Sequence, residues 1–195
     1  MTQTALSGAL WPTLTLIVIS GLILLAGDSG RLALRYDRAG LEALELYRLL
    51  TGHVVHLGVG HFLLNAAGLL LVAILVGASL SAAAWWLVLG VSAATIDLAF
   101  WFLNPGLSWY VGLSGILHGM LVAGATVQFK KRPLESGVIL VLIIAKLAFE
   151  QLVGPLPGSE ISSGGPVVVD AHRYGAMGGV LAVLVLAGLR RPRSV

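Results

Sequence analysis

The 195 residues are 57% hydrophobic and only 11% charged, with a mean hydropathy of +0.95. Too few polar groups remain to cover the surface of a soluble domain, so the composition is that of an integral membrane protein. Cysteine is absent, which excludes disulfides, thiolate nucleophiles and thiolate metal sites; the net charge of +3 comes from basic clusters between and after apolar segments, a mark of topology rather than nucleic-acid binding.

A bilayer-spanning helix needs about 20 mostly apolar residues. Six segments approach that length, at roughly 10–27, 57–77, 82–103, 113–128, 136–153 and 170–189. Helix is the expected form, because an isolated strand leaves its backbone groups unsatisfied in lipid. Met1 to Leu10 has no Lys or Arg, so the first run reads as a retained span rather than a cleavable signal. Asp28 to Gly52 follows, with Arg31, Arg35, Asp37, Arg38, Glu42, Glu45 and Arg48 interleaved with leucines. That pattern suits a helix lying in the membrane interface, or else a plain connecting loop. Lys130-Lys131-Arg132-Pro133 separates segments four and five, and Arg190-Arg191-Pro192-Arg193 follows segment six. With six spans both ends and both basic clusters share one side, which the positive-inside rule makes the cytoplasm. The 28–52, 103–111 and 154–169 connections then lie outside. The last is rich in Gly, Pro and Ser and reads as a mobile loop. Trp85, Trp86, Trp101, Trp109 and Tyr110 fall near segment ends, where interface anchors are expected. No repeat or second domain is visible, so residues 1–195 form a single all-α membrane domain.

Polar side chains inside such segments are costly and usually mark function. The stretch Tyr110-Val111-Gly112-Leu113-Ser114-Gly115-Ile116-Leu117-His118 sets one hydroxyl between two glycines at the outer end of segment four. Segment six begins outside with Asp170 and His172, and the outer half of segment two carries His56, His61 and Asn65. Topology thus gathers these groups in one layer. His61 and Asn65 share a helical face, as do Ser114 and His118. Gly115, Gly119 and Ala123 face the possible seam with Gly175 and Gly179, and small residues at such spacing let helices approach closely. A serine hydroxyl is hardly ionised at neutral pH and needs a base, which His172 can supply. Acyl transfer also needs oxyanion donors, available from the Asn65 amide, the His61 ring and the Ser114 backbone N–H.

These residues carry a resemblance to the rhomboid family of intramembrane serine proteases. The matching residues are Arg48 in the first outer loop, His61-Phe62-Leu63-Leu64-Asn65, Gly112-Leu113-Ser114-Gly115, and Ala171-His172 with Gly175 and Gly179. The resemblance covers about the whole six-helix core. It implies a six-helix bundle without a cofactor, with Ser114 as nucleophile, His172 as base, and His61 and Asn65 lining the oxyanion hole. The short chain, His118 and Val168-Val169-Asp170-Ala171-His172 look more like the rhombosortase branch. That branch implies a bacterial inner-membrane enzyme of protein sorting, cutting substrates with a C-terminal Gly-Gly tail and a transmembrane helix. Many rhomboids carry a tyrosine at the position of His118, where it stacks on the catalytic histidine. A second imidazole there either tunes His172 or merely packs against it.

Blander readings stand beside this one. Ser114 alone is a typical helix-packing serine, and the constellation also suits an inactive membrane-protein binder or a general rhomboid that cuts other transmembrane helices. A transporter is disfavoured because no inverted repeat is visible. His53 with His56 raises a metal site, but without Cys or a carboxylate at ligand spacing no zinc is expected. His56 and Arg48 read as supports of the outer loop. Asp170 lies two residues from His172, on a different helical face, so it is not expected to act as a triad carboxylate. Asp97, Lys146 and Glu150 read as structural pairs inside the bundle, with no partner evident for Asp97.

Overall fold

The computed structural model describes residues 7–189. The basic run at 190–193, expected on the cytoplasmic side, lies outside them. Each of the six apolar segments is helical: α1 (Ser7–Leu25), α5 (Val59–Val76), α6 (Ala82–Leu103), α7 (Ser114–Gln128), α8 (Pro133–Leu152) and α10 (Val169–Leu189). Four are long and apolar enough to cross a membrane, in the ranges Gly8–Leu25, Val59–Ser79, Ala82–Leu103 and Val169–Leu189. The other two fall short for different reasons. α7 has 15 residues, about 22 Å at 1.5 Å per residue, against a hydrocarbon core of about 30 Å. α8 is 20 residues long but carries Glu135, Lys146 and Glu150.

The short α7 is the hub. Gly115 to Met120, Val122 to Ala125 and Gln128 are all buried, and α10, α6, α8 and α5 pack around it. Its closest partner is α10. A Cβ on Gly175 would collide with the Gly115 carbonyl oxygen, and one on Gly179 with that of Gly119. A Cβ on Gly115 would lie 2.8 Å from the Ala171 oxygen. Only glycines permit so close a backbone approach. Outward faces stay apolar: Ile74 of α5, Val141 and Ile144 of α8 and Leu184 of α10 are exposed, as lipid contact requires.

The charged connection after α1 is not one interfacial helix. It breaks into α2 (Gly27–Leu34), strand β1 (Tyr36–Asp37), α3 (Arg38–Glu42) and α4 (Arg48–Thr51). Asp37 caps α3 by accepting from the Gly40 N–H at 3.2 Å. Neighbouring arginines and the backbone N–H hold the Asp37 carboxyl below its ordinary pKa, against the opposing effect of burial. β1 pairs antiparallel with β2 (Trp109–Tyr110), strapping this connection to the loop before Ser114. Arg38 reinforces the strap by donating to the Phe100 and Asn104 carbonyls at the end of α6, at 2.7 and 3.2 Å. A cation there complements the negative end of the helix. Arg48 donates to the Leu32 and Arg35 carbonyls, both at 3.0 Å, and pairs with Glu45.

Two aromatic residues differ from the expected interface anchors. Trp85 is fully buried and donates to the Gly77 carbonyl, and Tyr110 is buried with its hydroxyl on the Gly112 carbonyl. Both had their polar tips satisfied by backbone rather than by the interface. The 154–169 connection contains one helical turn, α9 (Ser159–Ser163), packed on α5.

Candidate active site

Ser114 is the first residue of α7. Gly112 precedes it with φ of +124°, a conformation that L side chains rarely adopt. Space forbids a side chain as well: a Cβ on Gly112 would lie 2.8 Å from His61 Cε1 and 2.9 Å from Nε2. The turn is fixed from below by Tyr110, whose hydroxyl donates to the Gly112 carbonyl at 2.6 Å, and from the side by the Gly112 N–H bonded to the Gly52 carbonyl. Burial, reinforced by Asp97, pushes the Tyr110 phenol pKa up, so it remains a donor.

Ser114 Oγ lies 3.0 Å from His172 Nε2, with the geometry for the hydroxyl to donate to the ring. His172 is buried on α10. Its other nitrogen, Nδ1, donates to Glu150 Oε2 of α8 at 2.8 Å. Lys146, one turn earlier, donates to the second carboxylate oxygen at 2.6 Å. The His118 ring stacks on His172, with centroids 4.4 Å apart and planes at 22°. Its Nδ1–H donates to the Ser114 carbonyl at 2.7 Å.

Opposite stand His61 and Asn65 of α5. The Leu57 N–H donates to His61 Nδ1 at 3.3 Å, so a neutral His61 ring carries its proton on Nε2, the atom facing Gly112. Asn65 Nδ2 donates to the His61 carbonyl at 3.1 Å; an amide has a second N–H to offer. The Ser114 backbone N–H, in the first turn of α7, has no partner within its helix. All these groups border a cavity of about 220 Å³, whose outer wall is Leu156, Ser159, Ser163 and Pro166 to Val168. A larger apolar cavity of about 590 Å³ lies elsewhere, between α4 and α6, and holds no nucleophile.

The remaining candidates take other places. His56 packs edge-on against His61 with centroids 5.0 Å apart and donates from Nδ1 to the Val54 carbonyl. Burial, with His61 beside it, lowers its pKa to about 3. His53 does not join it in a metal pair: His53 Nε2 donates to Asp97 Oδ1 at 3.2 Å, giving Asp97 a partner that the sequence did not reveal. Asp170 accepts from Asn104 and pairs with Arg173, away from His172. His118, Glu150 and His172 offer three ligand atoms within 4.8 Å of one another; in this structure Glu150 is bonded to Lys146 and to His172 Nδ1, and His118 Nδ1 to the Ser114 carbonyl. The contact missed in the sequence is Glu150 with His172. The signal was a lysine and a glutamate at i, i+4 in an apolar helix, but their spacing alone points to no third partner.

A bundle of apolar helices around a short glycine-seamed helix, with a serine and a histidine in contact near one end, defines a multi-pass membrane protein. The model of the rhomboid domain matches residues 43–189, and the chain belongs to the rhomboid family, whose members are intramembrane serine proteases. Comparison with curated proteins returns no match.

Proposed function

We propose that this protein is an intramembrane serine endopeptidase of six spans, with α7 and α8 as the fourth and fifth. His172 Nε2 takes the Ser114 proton as Oγ attacks a peptide carbonyl carbon. The carbonyl electron pair moves onto oxygen, which is held by His61 Nε2–H, the free Asn65 N–H and the Ser114 backbone N–H. Collapse breaks the C–N bond, and the leaving amine takes the proton from His172. Water, or another amine, then attacks the acyl-enzyme and restores the serine. The observation that carries this reading is the 3.0 Å contact between Ser114 Oγ and His172 Nε2, at the lip of a cavity edged by oxyanion donors.

The substrates are transmembrane proteins whose helix is interrupted by small residues, since a continuous helix hides its carbonyls. The rhombosortase-like motifs favour Gly-Gly sorting tails. The site faces the outer side of a bacterial inner membrane, with both termini cytoplasmic. The test is cleavage of a tail-bearing membrane protein by wild type and Ser114→Ala in the same membrane. Loss of processing in the variant is expected. Unchanged processing sinks the protease reading, and equal cleavage of helices lacking Gly-Gly replaces the sorting role with general rhomboid proteolysis.

A further inference from the structure

We infer that Glu150 is a positioning residue for His172, so that the site works as a Ser114–His172–Glu150 relay rather than a two-residue site. This rests on the protease reading above, and it adds a residue from a third helix. The Glu150 side chain is 2% exposed, against 29% for Lys146. An i, i+4 pair serving only helix stability belongs on an accessible face. Here the carboxylate turns inward and splits its two oxygens between separate partners, Oε2 to His172 Nδ1–H and Oε1 to Lys146.

The tautomer explains the need. His172 can accept the Ser114 proton only if Nε2 carries a lone pair, so the ring proton must sit on Nδ1. The stacked His118 ring sets the plane of His172 but spends its own Nδ1–H on the Ser114 carbonyl, so it cannot choose the tautomer. Lys146 Nζ lies 3.3 Å from His172 Nδ1. Without the carboxylate, this ammonium would donate to Nδ1 and drive the proton to Nε2, where it would face Ser114 and block the base. Glu150 therefore both accepts the Nδ1–H and draws Lys146 onto its other oxygen. Lys146 in turn neutralises a carboxylate that would be costly alone in an apolar bundle. His61 across the cavity and Asp170 and Arg173 on α10 complete the charged and titratable groups near the ring, and none of them is bonded to Nδ1 among the described residues.

Glu150→Gln keeps the shape and removes the charge. Its amide oxygen would go to Lys146 and its NH₂ would face Nδ1, which selects the wrong tautomer. Two readouts are taken on the full chain in lipid nanodiscs. One is the rate of Ser114 labelling by a fluorophosphonate. The other is the ¹⁵N spectrum of His172, which distinguishes Nδ1–H from Nε2–H. For Glu150→Gln we expect the maximal labelling rate to fall by roughly 10²–10⁴-fold, by analogy with triads that lose their carboxylate, with probe affinity little changed and His172 switched to Nε2–H. Lys146→Met/Glu150→Leu removes the misdirecting donor together with the carboxylate. It should recover part of the rate, still below wild type. Wild-type labelling in either variant, or an unchanged His172 tautomer in Glu150→Gln, overturns the proposal. If the wild type does not label but the tautomer switches, the protease reading fails while the positioning role stands.

Discussion

Gly112 does two things that no other residue can do there. It takes a positive φ, and it leaves room for the His61 ring. Gly112→Ala should cost about 1–2 kcal/mol in backbone strain alone, and it should also push His61 out of the cavity. Thermal unfolding and phosphonate labelling of Ser114 would both register the change, with labelling falling more than stability. His118 makes a milder case. His118→Phe keeps a ring against His172 but loses the bond to the Ser114 carbonyl, worth about 1 kcal/mol. It should retain measurable labelling, whereas His118→Ala, which also loses the stack, should retain less. His56 supplies a pH dependence. Its folded pKa is about 3 against an ordinary 6.5, so the unfolded state binds more protons between those values. The stability it contributes is complete at neutral pH and declines as pH falls below 6.5, by about 1.4 kcal/mol per pH unit for one titrating group. Unfolding measured from pH 7 to pH 4 should show a slope that His56→Phe reduces.

At the scale of elements, the seam between α7 and α10 holds Ser114 against His172. The small-residue stripes Gly115–Gly119 and Gly175–Gly179 were readable in the sequence, and the helices do meet along them. Gly175→Val should force the helices apart, cost on the order of 1–3 kcal/mol or more, and abolish Ser114 labelling. Gly188→Val on the same helix is the control, since a Cβ there meets nothing within 4 Å. The strap between β1 and β2 was not readable. Two residues of pairing leave no periodic pattern, and the Arg38 contacts with α6 join positions more than 60 residues apart. For the same reason the expected interfacial helix became α2, β1, α3 and α4: tertiary hydrogen bonds donated by Arg38 and Arg48 to backbone carbonyls outweigh a weak amphipathic preference.

At the scale of the whole molecule, the absence of native cysteine makes topology directly measurable. With six spans, Lys131→Cys and Ser159→Cys should react with an impermeant maleimide from opposite sides of the membrane. Reaction from the same side would remove the α8 crossing, the only proposed span between the two positions and the one whose charged residues set it apart.

The sequence by itself determined the membrane class, the helical character of the six apolar segments and the small set of polar residues from which a site can be built. Those properties follow from hydropathy, length and backbone satisfaction, which are sums over local stretches. Only the tertiary structure decided which polar groups touch. It turned Glu150 toward His172 rather than toward Lys146 alone, gave Asp97 to His53, and buried Trp85 and Tyr110. The physical reason is helix rotation. A polar residue in an apolar helix has no amphipathic face to announce its direction, so its partner is set by how the glycine seam of α7 and α10 brings neighbouring helices into contact.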